Sequence, residues 1–129
     1  MHPPRILVAD DSRTIRAVVY RTLCAENFDV ILACDGIEAV KLARCERPHL
    51  VILDIQMPEM DGYAACEEIL KLEGRRDDLP IIFLTKNNAK HLDALGNDLG
   101  AYLQKPVCGD TLLATVRSLL SRQSLAQSC

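Results

Sequence analysis

Basic residues are not in excess. The 129-residue chain has 15 Lys and Arg against 18 Asp and Glu, for a formal net charge of -3. Nor are the basic residues clustered, so the electrostatic footprint of a nucleic-acid or membrane-surface binder is missing. Direct contact with DNA or with a membrane is therefore not expected of this chain. No apolar stretch approaches the ~20 residues needed to span a bilayer. The six cysteines (Cys24, Cys34, Cys45, Cys66, Cys108 and Cys129) include no C-x-x-C pair and no metal-finger spacing. A disulfide framework is the wrong reading for a domain of this size without a secretory signal, and free thiols are expected. No such signal is visible, because Met1-His2-Pro3-Pro4-Arg5 runs straight into a strand-like segment. The expectation is a soluble cytoplasmic domain. Internal repeats, low-complexity tracts and internal linkers are absent too.

What is present is globular in composition, with 49% hydrophobic and 26% charged residues. The length suits one domain with one core. We expect that domain to fill residues 1–129, with its core at about 5–120 and a polar tail at 121–129. Five short apolar runs read as strands: Ile6-Leu7-Val8-Ala9, Val30-Ile31-Leu32-Ala33, Leu50-Val51-Ile52-Leu53, Ile81-Ile82-Phe83-Leu84 and the weaker Ala101-Tyr102-Leu103. Most lack alternation, as expected when helices cover both faces of a parallel sheet. Helical stripes lie between and after them: Ile15, Val18, Val19 and Leu23; Leu92, Leu95 and Leu99; and Leu112, Leu113, Val116, Leu119 and Leu120. Asp11 or Ser12 is placed to cap the first helix, Asp35 the second, and Asp110 or Thr111 the last. Strict β/α alternation implies an α/β fold, a doubly wound parallel sheet with right-handed crossovers.

Ligands of open α/β sheets bind beyond the carboxyl ends of the strands, near the switch in strand order. The first strand ends in Asp10-Asp11, the third in Asp54, the fourth in Thr85 and the fifth in Lys105-Pro106. The second delivers only Cys34-Asp35. If the order is 2-1-3-4-5, the second strand is an edge and the other four are neighbours, so their polar groups converge. Three crowded carboxylates resist ionisation unless a cation intervenes. A hard divalent ion, Mg²⁺ or Mn²⁺, suits such oxygen ligands. With it bound, Asp54 can attack phosphorus to give an aspartyl phosphate. Thr85 and Lys105 can then donate hydrogen bonds to the phosphoryl oxygens. Each residue also has a plainer reading. Asp10 and Asp11 could be helix caps, Asp54 a turn residue, Thr85 a strand-end cap, Lys105 a solvated charge and Tyr102 core. His2, His49 and His91 lie apart in sequence and read as surface or packing residues.

The Asp10-Asp11-Ser12 segment, Leu53-Asp54-Ile55-Gln56-Met57-Pro58-Glu59-Met60-Asp61-Gly62, Leu84-Thr85 and Tyr102-Leu103-Gln104-Lys105-Pro106 resemble the signature of response-regulator receiver domains of bacterial two-component systems. The resemblance covers roughly residues 5–120. It implies the five-stranded, flavodoxin-like receiver fold. It implies Asp54 as acceptor of a phosphoryl group from a sensor histidine kinase's phosphohistidine or a phosphotransfer protein. It also implies Asp11, Asp54 and the Gln56 carbonyl as direct Mg²⁺ ligands, with Asp10 acting through water. Thr85 and Tyr102 would move together as the switch, and the peptide bond before Pro106 would be cis. Such a protein is a switch rather than an enzyme, with at most weak self-dephosphorylation.

Two features depart from the family. Lys86 follows Thr85 where a small residue is usual, and the stretch from Thr85 to Lys105 is about two residues short. They leave room for an alternative, a phosphate-independent protein-interaction module of the same fold. A haloacid-dehalogenase-type phosphatase is set aside, because it would need an acidic residue where Gln56 stands.

Overall fold

Five parallel strands form one sheet in the computed structural model, which describes residues 3–72, 79–86 and 100–128. They are β1 (Arg5–Ala9), β2 (Asp29–Ala33), β3 (Leu50–Asp54), β4 (Ile81–Thr85) and β5 (Gly100–Gln104). Their order is β2-β1-β3-β4-β5, as expected for the doubly wound sheet. The helices among the described residues are α1 (Arg13–Cys24), α2 (Gly36–Glu46), α3 (Gly62–Leu70) and α4 (Gly109–Ser128).

The unbroken apolar runs conceal a two-sided division that becomes visible once the helices are placed. Ile6, Val8, Leu50, Ile52, Ile82 and Leu84 pack with Val19 and Leu23 of α1 and Leu112, Val116 and Leu119 of α4. The alternate residues Leu7, Ala9, Val51, Leu53, Ile81 and Phe83 pack with Ala39 and Ala43 of α2 and Ala65, Cys66 and Ile69 of α3. Each fully buried Leu or Ile contributes about 1.5–3 kcal/mol, so the central strands anchor the domain. The edge strand β2 is only partly covered, and Leu32 on it is exposed.

Ser12 caps α1, its Oγ accepting the Ile15 N–H at 3.3 Å, which leaves the exposed Asp11 free for another task. Asp35 caps α2 through the Glu38 N–H at 2.8 Å. Asp61 starts α3 by accepting the Ala64 N–H at 2.8 Å, a cap hidden in the sequence by its place within the long acidic signature. The last helix begins earlier than its capping residues suggest. Leu112 N–H donates to the Cys108 carbonyl at 2.9 Å, so Asp110 and Thr111 lie inside the first turn instead of capping it. There the Asp110 carboxylate still favours the helix dipole. Nor does the chain leave this helix at Ser121. Neither Gly nor Pro interrupts Ser121-Arg122-Gln123-Ser124-Leu125-Ala126-Gln127, and α4 continues to Ser128.

The stripe Leu92, Leu95 and Leu99 lies outside the described residues, as do His2, His91, Cys129 and most of the short stretch before β5. His49 is structural: its Nδ1 accepts the Arg5 N–H at 2.9 Å. Cys24, Cys34, Cys45, Cys66 and Cys108 are free thiols. Among the described residues no helix is long and apolar enough to cross a membrane.

Candidate functional site

Strand register sets the neighbours at the carboxyl edge. Ala9 pairs with Leu53 and Asp54 with Leu84, so Asp10, one residue past β1, stands beside Asp54. The Asp10 N–H donates to the Ala33 carbonyl at 3.2 Å, and Asp10 Oδ1 accepts the Ser12 N–H at 2.8 Å. Asp10 is fully buried, and its Oδ2 faces the Lys105 side chain. That oxygen lies 3.0 Å from the Lys105 ammonium. Asp54 is also buried; its Oδ1 accepts the Gln56 N–H at 3.3 Å and its Oδ2 lies 3.2 Å from the same ammonium. Asp11 completes the group at the surface: one carboxylate oxygen from each of Asp10, Asp11 and Asp54 lies within 4.8 Å of the others.

Lys105 reaches this cluster because its own backbone is tied down. Its N–H donates to the Thr85 carbonyl at 2.8 Å, and the Lys105–Pro106 peptide bond is cis. Thr85 is buried at the end of β4. Lys86, immediately after it, is exposed. Tyr102 belongs to the side of the sheet packed by α2 and α3, its ring stacked on Phe83 at 5.3 Å. Phe83 in turn meets Tyr63 of α3 at 5.1 Å, so an aromatic row runs from β5 to α3. The loop after β3 is pinned twice: Ile55 N–H donates to the Leu84 carbonyl at 3.0 Å and Gly62 N–H returns to that of Ile55 at 2.8 Å. Any Cβ at Gly62 would collide with the Asp54 carbonyl oxygen and lie 2.9 Å from Ile55 Cα, so glycine is required there by close approach.

Arg16 is a site residue that sequence reasoning does not find. From the first turn of α1 its Nη1 donates to the Asp10 backbone carbonyl at 2.6 Å, holding the acidic loop against the helix. Its position one turn past Ser12 is the available signal, but only the fold shows which carbonyl it finds.

Burial, then the Asp10 charge, push the Asp54 carboxyl up to about 6, against the opposing pull of Lys105 and the Gln56 N–H. Burial alone would depress the Lys105 ammonium. The Asp10 and Asp54 carboxylates outweigh it and hold Lys105 above its ordinary value. Three carboxylates around one ammonium leave an excess of negative charge. An all-oxygen donor set, more carboxylates than the single ammonium can neutralise and a buried Asp54 that resists ionisation together suit a hard divalent cation.

Residues 6–117 match the response regulator receiver domain, and the chain belongs to that family. A response regulator MprA from Mycobacterium sp. (strain KMS) is 43% identical over 124 residues, which cover 95% of this chain and 53% of that protein. The MprA of Mycobacterium tuberculosis is 42% identical over 120 residues, 92% of this chain and 51% of the relative. The chain thus spans about half the length of these relatives. Among solved structures, the Vibrio cholerae chemotaxis protein CheY4 aligns with TM-score 0.82 and 30% identity, over 91% of this chain and 98% of that one. The receiver domain of the Pseudomonas aeruginosa sensor histidine kinase PA1611 aligns with TM-score 0.78 and 32% identity, over 92% and 98%. That neighbour holds a magnesium ion in its active-site cleft.

Proposed function

We propose that Asp54 is the phosphoacceptor of a two-component signalling switch. The donor is the phosphohistidine of a sensor histidine kinase or of a phosphotransfer protein, which places the chain in the cytoplasm. The observation that carries this reading is the meeting of Asp10, Asp11 and Asp54 with the Lys105 ammonium at the carboxyl end of the sheet. An Asp54 carboxylate oxygen forms a bond to phosphorus as the phosphorus–nitrogen bond breaks, and the imidazole leaves with that electron pair. Asp11, Asp54 and the Gln56 carbonyl would hold Mg²⁺ or Mn²⁺ directly, and Asp10 through water. The bound ion supplies neutralisation of the phosphoryl oxygens. Thr85 donates its hydroxyl to the new group, and Lys105 exchanges a carboxylate partner for a phosphoryl oxygen. Through Thr85 and Tyr102 the change then reaches the output surface. The chain acts as a switch, and slow hydrolysis of its own acyl phosphate resets it. Incubation with acetyl phosphate tests this reading: phosphoprotein is expected with Mg²⁺ and not with EDTA, and equal labelling in both would sink it.

The site makes a thermodynamic demand on the fold as well. Mg²⁺ relieves carboxylate crowding and binds only the folded chain, adding about 1.4 kcal/mol at ~10 times Kd. Melting should rise by a few degrees in Mg²⁺. Asp11→Asn should lose most of that rise, and a wild-type melt indifferent to millimolar Mg²⁺ would count against the ligand set.

Lys86 is expected to lengthen the life of the phosphorylated state. It follows Thr85 directly, and both its charge and its bulk would disfavour hydrolysis of an acyl phosphate. Because the side chain is exposed, screening keeps the electrostatic share small, and bulk supplies the larger share. Lys86→Ala should therefore lose phosphate a few-fold faster, and Lys86→Met, which keeps the bulk, less so. Equal dephosphorylation rates in all three proteins would make Lys86 an ordinary surface residue.

A further inference from the structure

Gly36 lies at the start of α2, outside the acidic cluster and on a helix that contributes no side chain to it. Its backbone is not left-handed, so conformational freedom does not explain a glycine there. Space does. A Cβ at Gly36 would overlap the Met60 carbonyl oxygen, lie 2.9 Å from Met60 Cβ and 3.1 Å from the Met60 carbonyl carbon. Two of these three contacts are backbone, which a change of rotamer cannot relieve.

Met60 belongs to a loop that cannot yield freely. Met60 N–H donates to the Pro58 carbonyl at 2.7 Å, closing a tight turn around Glu59, whose φ of 70° is strained for a side chain of that kind. One residue on, Asp61 caps α3, and Gly62 is pressed against the Asp54 carbonyl. The loop is thus wedged between the start of α2 and the end of β3, with a glycine at each contact. Residues 55–61, including Gln56, are held in the wedge.

We propose that Gly36 is a positioning residue for the cation site. The bare backbone of α2 is the wall that seats the Met60 turn and thereby aims Asp54 and the Gln56 carbonyl. The inference rests on the proposed reading of that cluster as a divalent-cation site. Any side chain at position 36 would drive the loop off the wall and distort the ligand set from behind.

The test is Mg²⁺ affinity by titration calorimetry on the whole chain, beside the metal-free melting temperature. Gly36→Ala should remain folded and bind Mg²⁺ about 10-fold or more weakly, as removal of support behind metal ligands commonly does. Gly109→Ala is the control. Its Cβ would meet only Thr22, at 3.5 Å and beyond, and its affinity should match wild type. If Gly36→Ala folds and binds Mg²⁺ like wild type, the proposal is wrong. Should that variant fail to fold, Gly36→Ala/Met60→Gly, which removes the side-chain part of the overlap, is measured by the same criterion. If neither variant folds, Gly36 serves the fold and not the site, and the proposal falls. A wild type that binds no Mg²⁺ would sink the reading of the site itself, an outcome distinct from an unchanged Gly36→Ala.

Discussion

Lys105→Met should destabilise the metal-free protein at pH 8 by about 3–5 kcal/mol, the usual consequence of stranding a buried charge by removing its partner. The ammonium lies 3.0 Å from Asp10 and 3.2 Å from Asp54, and it is nearly enclosed, with 8% of its side chain exposed. Methionine preserves most of the stem, so the loss falls on electrostatics more than on packing. Two buried carboxylates would then face each other with no cation between them. Protonation is their remaining escape. Lys105 is one of the groups that hold Asp54 down, so without it the Asp54 carboxyl should rise above its present value of about 6. The deficit should accordingly shrink as pH falls from 8 to 5, because protonated Asp54 no longer needs the ammonium. Urea unfolding in EDTA at the two pH values measures it. A deficit of equal size at both would mean that the stranded carboxylates are not its cause. Relative to a total stability of roughly 5–15 kcal/mol, the expected loss is large.

The complementary change should stabilise. Asp54→Asn is expected to raise metal-free stability at pH 7 by as much as about 3 kcal/mol, since a tenfold change in a group's acidity on folding corresponds to about 1.4 kcal/mol. Asp54 titrates near 3.8 in the unfolded chain and near 6 in the fold. Between those values the native state holds the extra proton, so wild-type stability falls as pH rises through this window and levels off above it. Asparagine has no proton to lose, and its curve should lack that fall. The difference between the two proteins should therefore be small at pH 4, grow to about pH 6 and stay constant beyond. Mg²⁺ should close the gap by stabilising the wild type more than the variant. Parallel pH curves for the two proteins would show that ionisation of Asp54 costs the fold nothing.

These effects trace to residues that are visible in the sequence because each ends a strand. Asp10, Asp54 and Thr85 follow apolar runs directly and Lys105 follows one after Gln104, and parallel strands bring their carboxyl ends to one edge whatever the details of packing. Strand order is less legible: the missing chemical group on the second strand fits an edge position, but the full order follows only from the resemblance to the receiver fold. The sidedness of the core is not legible. Ile6 and Leu7 are equally apolar, and only the placement of α1 and α4 against α2 and α3 separates them. Arg16 and Gly36 are hidden for a different reason. Each acts on a backbone carbonyl distant in sequence or in another element, and such approaches leave no periodic trace. The start of α4 is obscured because Cys108 is not among the preferred capping residues, whereas Asp110 and Thr111 are. The end of α4 is obscured because residues 121–127 are largely polar. Polarity there removes the apolar stripe that marks a packed helix but leaves the helix formers in place.

Locating the phosphoryl group tests the central assignment most directly. Wild type, Asp54→Asn and Asp11→Asn would be incubated with acetyl phosphate and Mg²⁺. Borohydride would then reduce any acyl phosphate to the alcohol, and peptide mass spectrometry would place the modified residue. The expected result is one reduced site at Asp54 in the wild type, none in Asp54→Asn, and weak modification in Asp11→Asn. Full modification of Asp54→Asn, or a wild-type site anywhere else in the chain, would contradict the account.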